Sequence, residues 1–147
     1  MKRLILFIVA LLSVNILSYA QTTVNSGAPE IDIAVKRAFA RGNDVCVDLT
    51  ITNNSNWSSI SFNLWDSKVY DDEGNEYTKN SLSKDGPSTY GGKIDIPREV
   101  PRRVRIVVAN VDEYASSFTL MKIEYEGWNP SSNPRTLTIK NLPIIRD

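Results

Sequence analysis

Hydrophobic positions recur with a period of two along most of this chain. Ile31, Ile33 and Val35 alternate with Asp32, Ala34 and Lys36, and Val45, Val47, Leu49 and Ile51 alternate with Cys46, Asp48, Thr50 and Thr52. Alternation of this kind turns one side of an extended strand to a core and the other to solvent. Ile60, Phe62 and Leu64 repeat the pattern, as do Val104, Ile106 and Val108, then Leu137 and Ile139, with Leu142 in the tail. Phe118 and Leu120 keep one phase and Met121, Ile123 and Tyr125 the other, so the spacing predicts a one-residue β-bulge near Leu120. Turn chemistry separates the segments. Gly42-Asn43 joins two strands, Asn53 to Asn56 closes the second, and Gly74 supplies a positive-φ residue to a hairpin between Val69-Tyr70 and Glu76-Tyr77. Ser81 to Gly92 reads as the longest loop, and Ile94 and Ile96 as a short edge strand. The stretch Asp112 to Ser117 is too short for an independent helix.

Seven or eight alternating strands without crossover helices predict an all-β fold, an antiparallel β-sandwich. Its expected core comprises Val45, Val47, Leu49, Ile51, Ile60, Phe62, Val104, Ile106, Val108, Phe118, Leu137 and Ile139. Trp65 is expected to continue its strand and pack.

Three stretches carry a resemblance. Val47-Asp48-Leu49-Thr50-Ile51-Thr52-Asn53-Asn54-Ser55 is similar to the second-strand signature of secreted bacterial immunoglobulin-like domains. Val69-Tyr70-Asp71-Asp72-Glu73-Gly74-Asn75-Glu76-Tyr77 resembles their central hairpin, and Ile96 to Val104, with Pro97 and Pro101, resembles their approach to a late strand. The resemblance implies an immunoglobulin-like sandwich over roughly Ala34 to Leu142, serving as a binding or envelope-associated module. Cys46 followed eleven positions later by Trp57 superficially resembles the strand-B cysteine and strand-C tryptophan of antibody domains, but alternation places Cys46 on the face opposite Val45, Val47 and Leu49. The chain has one cysteine, so no intersheet disulfide can form.

The first twenty residues have a different character. Lys2 and Arg3 precede an apolar run from Leu4 to Leu12, and Ser18-Tyr19-Ala20 forms a small-x-small end, the order of a secretory signal peptide. The run is too short for a membrane span of about 20 apolar residues. The expected organisation is therefore a signal peptide over 1–20, a flexible leader over 21–29 and one β-domain over 30–147. Gln21, not cysteine, follows the cleavage site, so no lipid anchor is expected. The mature chain is expected to be secreted, periplasmic or extracellular, with no membrane insertion.

Composition narrows the chemistry. Seventeen Lys and Arg balance seventeen Asp and Glu, and histidine is absent. Loss of Lys2 and Arg3 leaves the mature chain slightly acidic, so no nucleic-acid partner is expected. Without imidazole, Ser-His-Asp and Cys-His catalysis and His-ligated zinc are closed. No catalytic residue, metal site or cofactor is assigned. The acidic hairpin Asp71 to Glu76 has two readings, a solvated tip or a weak calcium site lacking the distant bidentate Glu of an EF-hand. Arg98, Arg102, Arg103 and Arg105 read as edge protection or as a patch for an acidic partner or anionic glycan.

The candidate ligand-binding residues are Trp57 and Trp128, with Asn56 and Asn129 beside them. Loop tryptophans near Asn and Ser offer stacking and hydrogen bonding to a sugar or a protein, or else fold back to seal the end of a sandwich. The expected function is a secreted, non-enzymatic binding or scaffolding module of the cell envelope, with an envelope protein or glycan as partner. Two alternatives are a glycan hydrolase using carboxylates such as Asp48, Asp66, Asp95 and Glu124, or a structural subunit assembling through an edge strand.

Overall fold

The computed structural model describes residues 20–78, 80–83, 89–90, 94–127 and 133–146. The expected signal peptide lies outside them, apart from Ala20. The described strands are β1 Thr23–Asn25, β2 Ile31–Arg41, β3 Asp44–Asn53, β4 Ser59–Asp71, β5 Glu76–Tyr77, β6 Asn80–Ser83, β7 Thr89–Tyr90, β8 Ile94–Pro97, β9 Arg102–Val108, β10 Ser117–Gly127 and β11 Arg135–Ile145. Of these, β7 and all of β6 but its first residue lie inside the stretch Ser81 to Gly92 expected to be a loop.

All eleven strands belong to one sheet. Its path runs β5-β4-β10-β11-β2-β3-β9-β6-β7, with β8 on β4 and β1 on β11. Most neighbours are antiparallel, but β11 pairs with β2 in parallel, Ile144 against Ala38 and Ile145 against Phe39. The expected antiparallel immunoglobulin-like sandwich is therefore not what this chain forms. It forms a mixed sheet curled into a half-barrel.

The physical reason lies at one level of β10 and β11. Thr119 and Asn141 both step out of alternation there, between the facing pairs Phe118–Leu142 and Leu120–Lys140. Asn141 takes φ 54, a left-handed conformation that asparagine tolerates better than most residues. The Thr119 hydroxyl donates to the carbonyls of Tyr70 and Asp71 at 3.2 and 3.1 Å, anchoring the bulge to β4. The bulge expected near Leu120 is thus present, in the β10–β4 register between Phe118 and Leu120. Beyond it β11 runs on in the opposite phase and reaches β2.

The inward faces share one core, and all twelve expected core residues are buried. Leu64, Val69, Ile96, Met121, Ile123, Tyr125 and Leu142 join them. Full burial of a large aliphatic or aromatic side chain contributes about 1.5–3 kcal/mol. Tyr125 stacks on Phe62 with ring centroids 4.9 Å apart, and its hydroxyl donates to the Ser26 carbonyl at 2.6 Å.

That bond ties down the segment expected as a flexible leader. Thr23, Val24 and Asn25 pair antiparallel with Lys140, Ile139 and Thr138. The Thr22 hydroxyl donates to the Asn141 carbonyl at 2.8 Å, and Ala28 is buried. Gly27, at φ 78, passes so close to β11 that a Cβ would lie 2.5 Å from the Thr136 carbonyl oxygen. Thr23–Asn25 of this segment is a strand of the sheet.

Candidate functional site

Trp57 sits in the Asn-Ser segment that follows β3, and local polar groups fold that segment onto itself. Asn53 is fully buried. Its Oδ1 accepts from the Ser55 amide at 3.1 Å and the Ser55 hydroxyl at 2.5 Å. Its Nδ2 donates to the carbonyls of Trp57 and Ile96 at 3.2 and 3.5 Å. The Asn53 carbonyl accepts from the Glu99 amide at 2.8 Å. These bonds set the indole of Trp57 half-buried over Gly127 and against the core. Trp57 is thus partly buried against the core, while Asn56 remains exposed. Trp128 and Asn129 lie outside the described residues.

The acidic hairpin is an internally bonded turn. Gly74 has φ 88 as expected, but Asp71 is buried. Its carboxylate accepts from the amides of Glu73 and Asn75, from the Asn75 side chain at 2.9 Å, and from the Tyr77 hydroxyl at 2.6 Å. Burial pushes this carboxyl up, but the hydrogen bonds outweigh it and hold it below its ordinary value. Asp72 accepts from the Ser116 hydroxyl and from the amides of Ser116 and Ser117. Two of the acids are thus engaged by protein donors. Among the described residues no group of three or more metal-ligating His, Cys, Asp or Glu side chains is gathered.

The arginine run is dispersed. Arg98 pairs with its neighbour Glu99 at 3.2 Å. Arg105 points outward from β9 and meets Asp48 in a two-point contact, 2.6 Å from Nε and 3.1 Å from Nη2. Arg37, from β2, reaches the same carboxylate at 3.1 Å. Both guanidiniums lie against Phe39, 4.5 and 5.2 Å from the ring centroid. The Arg105 hydrogen bond is the main reason that Asp48 is held below the ordinary carboxylate range. Beside Phe39, Cys46 is buried, and burial pushes its thiol up.

Trp65, expected to pack, is instead largely exposed. The β4–β10 register jumps between Asn63–Glu124 and Lys68–Lys122, so Leu64 to Ser67 arch out opposite Ile123 alone. Leu64 and Ser67 remain buried, while Trp65 is 59% exposed. The arch is braced from within. The Trp65 amide donates to Asn63 Oδ1 at 3.1 Å, and the Ser67 hydroxyl to the Leu64 carbonyl at 2.8 Å. From β6, Asn80 Nδ2 donates to the Ser67 hydroxyl at 2.8 Å, and Asn63 Nδ2 reaches Asp66 at 3.4 Å. Alternation carried the signal that locates this residue: with Ile60, Phe62 and Leu64 inward, the next position faces out.

Among the described residues, the positions that register places across from the arch are polar. Register places Lys68 beside Lys122 and Asn63 beside Glu124, then Lys122 beside Thr138 and Thr138 beside Asn25. A shallow depression of about 550 Å³ opens on this face between β1, β11 and β10, bounded by Leu120, Lys122, Thr138 and Lys140. Of the carboxylates considered for hydrolysis, Asp66, Asp95 and Glu124 stand exposed on the Trp65 side, and Asp48 is engaged by two arginines on the β3–β9 side.

No protein-family model matches this chain, and no curated protein is similar to it in sequence. Among the described residues no helix is long and apolar enough to cross a membrane.

Proposed function

We propose that this chain is a secreted, non-enzymatic binding module of the bacterial cell envelope that acts through the outer face of β4 and β10. The observation that carries the reading is the indole of Trp65, 59% exposed on an internally braced arch. A rigid aromatic held on a preorganised sheet loses little freedom when it contacts a partner. The leader-like first twenty residues support export. A carboxylate hydrolase needs an acid kept protonated in an apolar pocket, and the exposed positions of Asp66, Asp95 and Glu124 do not offer one. Assembly through an edge strand needs a long free edge, whereas β5 and β7, at the ends of the sheet path, have two residues each, and β1 and β8, which branch from it, three and four.

The reading is tested with residues 21–147 and isolated envelopes. Wild-type protein should sediment with the envelopes, and Trp65→Ala should stay in the supernatant with its melting temperature unchanged. Equal sedimentation of the two proteins refutes the assignment. Exported protein should have the intact mass of a chain beginning at Gln21, and retained Met1 would refute export with cleavage.

A further inference from the structure

We propose that the depression between β10, β11 and β1 binds a phosphoryl group, carried on a soluble ester or on a lipid headgroup. The site goes beyond the envelope-binding role. It uses no atom of Trp65, and its test needs no envelope.

Two adjacent rows of the sheet build the depression. Leu120, Lys140 and Thr23 form one, and Lys122, Thr138 and Asn25 the next. With Val24, these residues line a volume of about 550 Å³. The lining brings two ammonium groups, two hydroxyls and one carboxamide to one concavity and contributes no carboxylate. Lys122 and Lys140 are diagonal neighbours across the β10–β11 pair, about 7–8 Å apart, so side chains of their length can converge on one ligand. Among the described residues neither forms an ion pair or a hydrogen bond. Glu124, the next outward residue of β10, stands opposite Thr136 and outside the lining.

Asn25 gives the site its polarity. Its Oδ1 accepts the Gly27 amide at 2.9 Å, so Nδ2, with two hydrogens, is the group left for a ligand. The strand that carries it is fixed at both ends. The Thr22 hydroxyl donates to the Asn141 carbonyl, and the Tyr125 hydroxyl to the Ser26 carbonyl. The donors are therefore in place before a ligand arrives, which lowers the ordering cost of binding.

A concavity rich in donors and without a carboxylate matches an anion rich in acceptors. Its donors come from three strands. A tetrahedral phosphoryl group turns oxygens toward all three, whereas a carboxylate offers two in one plane. Leu120 and Val24 offer apolar contact to the carbon that carries the ester.

The test titrates the purified exported protein with inorganic phosphate, glycerol phosphate and acetate, following backbone amides by NMR. Phosphate should shift the amides of Thr23–Asn25, Lys122 and Thr138–Lys140 saturably, and acetate should require higher concentrations. Lys122→Ala and Lys140→Ala should each weaken phosphate binding about fivefold, the effect of losing one partly exposed charge contact. Arg103→Ala, an equal change of net charge on β9, should match wild type. Asn25→Asp keeps an acceptor for the Gly27 amide but turns a carboxylate oxygen on the ligand, and should abolish binding with the fold intact. Phosphatidylcholine vesicles with and without phosphatidic acid distinguish the sources. Lys140-dependent capture by phosphatidic acid identifies a headgroup, and binding of glycerol phosphate without capture identifies a soluble ester. Equal responses to acetate and phosphate would overturn the phosphoryl group. Phosphate binding unaltered in Lys122→Ala, Lys140→Ala and Asn25→Asp, or no binding in any arm, would overturn the site.

Discussion

Replacing Gly127 by alanine tests the seat of Trp57 with a single methyl group. Gly127 ends β10 opposite Ile60. A Cβ there would lie 2.6 Å from Cε3 and 2.7 Å from Cε2 of the Trp57 indole, with Cδ2 nearer still. Carbon atoms in contact rest about 3.5–4.0 Å apart, so the ring must retreat by about 1 Å or swing out. The backbone at Gly127 is outside the left-handed region, so alanine itself suits the strand and the cost comes from the ring. Overpacking of this kind costs about 1–3 kcal/mol, a fall in melting temperature of about 4–12 °C for a domain of this size. Urea unfolding of the single variants Gly127→Ala and Trp57→Ala and of the double variant isolates the contact. Once the indole is gone, the added methyl should cost nothing, so the coupling energy should equal the single Gly127→Ala effect. Additivity within about 0.5 kcal/mol would show that Trp57 does not rest on Gly127.

Three further outcomes follow from bonds described above. Asp71→Asn should lower stability at neutral pH by about 1.5–3 kcal/mol, the worth of hydrogen bonds to a charged group. Because folding holds the Asp71 carboxyl below its ordinary 3.8, its contribution is present above that value and lost as pH falls through the folded one. Thermal melts from pH 7 to pH 2 should therefore descend less steeply in Asp71→Asn, and parallel curves would refute the assignment. Tyr125→Phe removes the 2.6 Å bond to the Ser26 carbonyl; it should cost about 1 kcal/mol and speed amide exchange in Thr23–Asn25, and unchanged exchange would sink the latch. Cys46 should resist a thiol reagent until the chain unfolds, and Cys46→Ser should leave envelope binding intact. Fast labelling of the native protein would contradict its burial.

The strands were legible because burial on one face writes itself as alternation, and the core followed from that. The pairing was not. Period two says which side of a strand faces inward, but nothing in it says which neighbour lies beside the strand or in which direction it runs. Asn141 shows the difficulty. The phase break there reads as the end of a strand at Ile139, yet an asparagine in the left-handed region lets β11 continue to Ile145 and reach β2. The bulge between Val35 and Arg37 in β2 was equally hidden, since the residues that resume the inward face, Ala38 and Ala40, are too small to signal it. Of the candidate site residues, Trp57 and Asn56 were legible as loop residues, but whether an indole covers or projects depends on contacts such as Gly127 that lie seventy positions away. Trp65 was legible by parity and was obscured by the expectation that a large aromatic within a strand packs.

The course of β11 bears on how the chain reaches its fold. β1 pairs with β11, β11 joins β10 to β2, and the Thr22–Asn141 bond joins positions 119 apart. Loop closure over such a distance is a slow, entropically costly step, and topologies dominated by distant pairings fold in milliseconds to seconds rather than microseconds. Until β11 arrives, β10, eleven residues long, presents on the side away from β4 an unpaired edge long enough to template association with other chains. A chain cut after Gly127 should keep most of its alternating strands and still accumulate as aggregates. β11 is the strand through which the β5–β4–β10 part and the β2–β3–β9–β6–β7 part become one sheet.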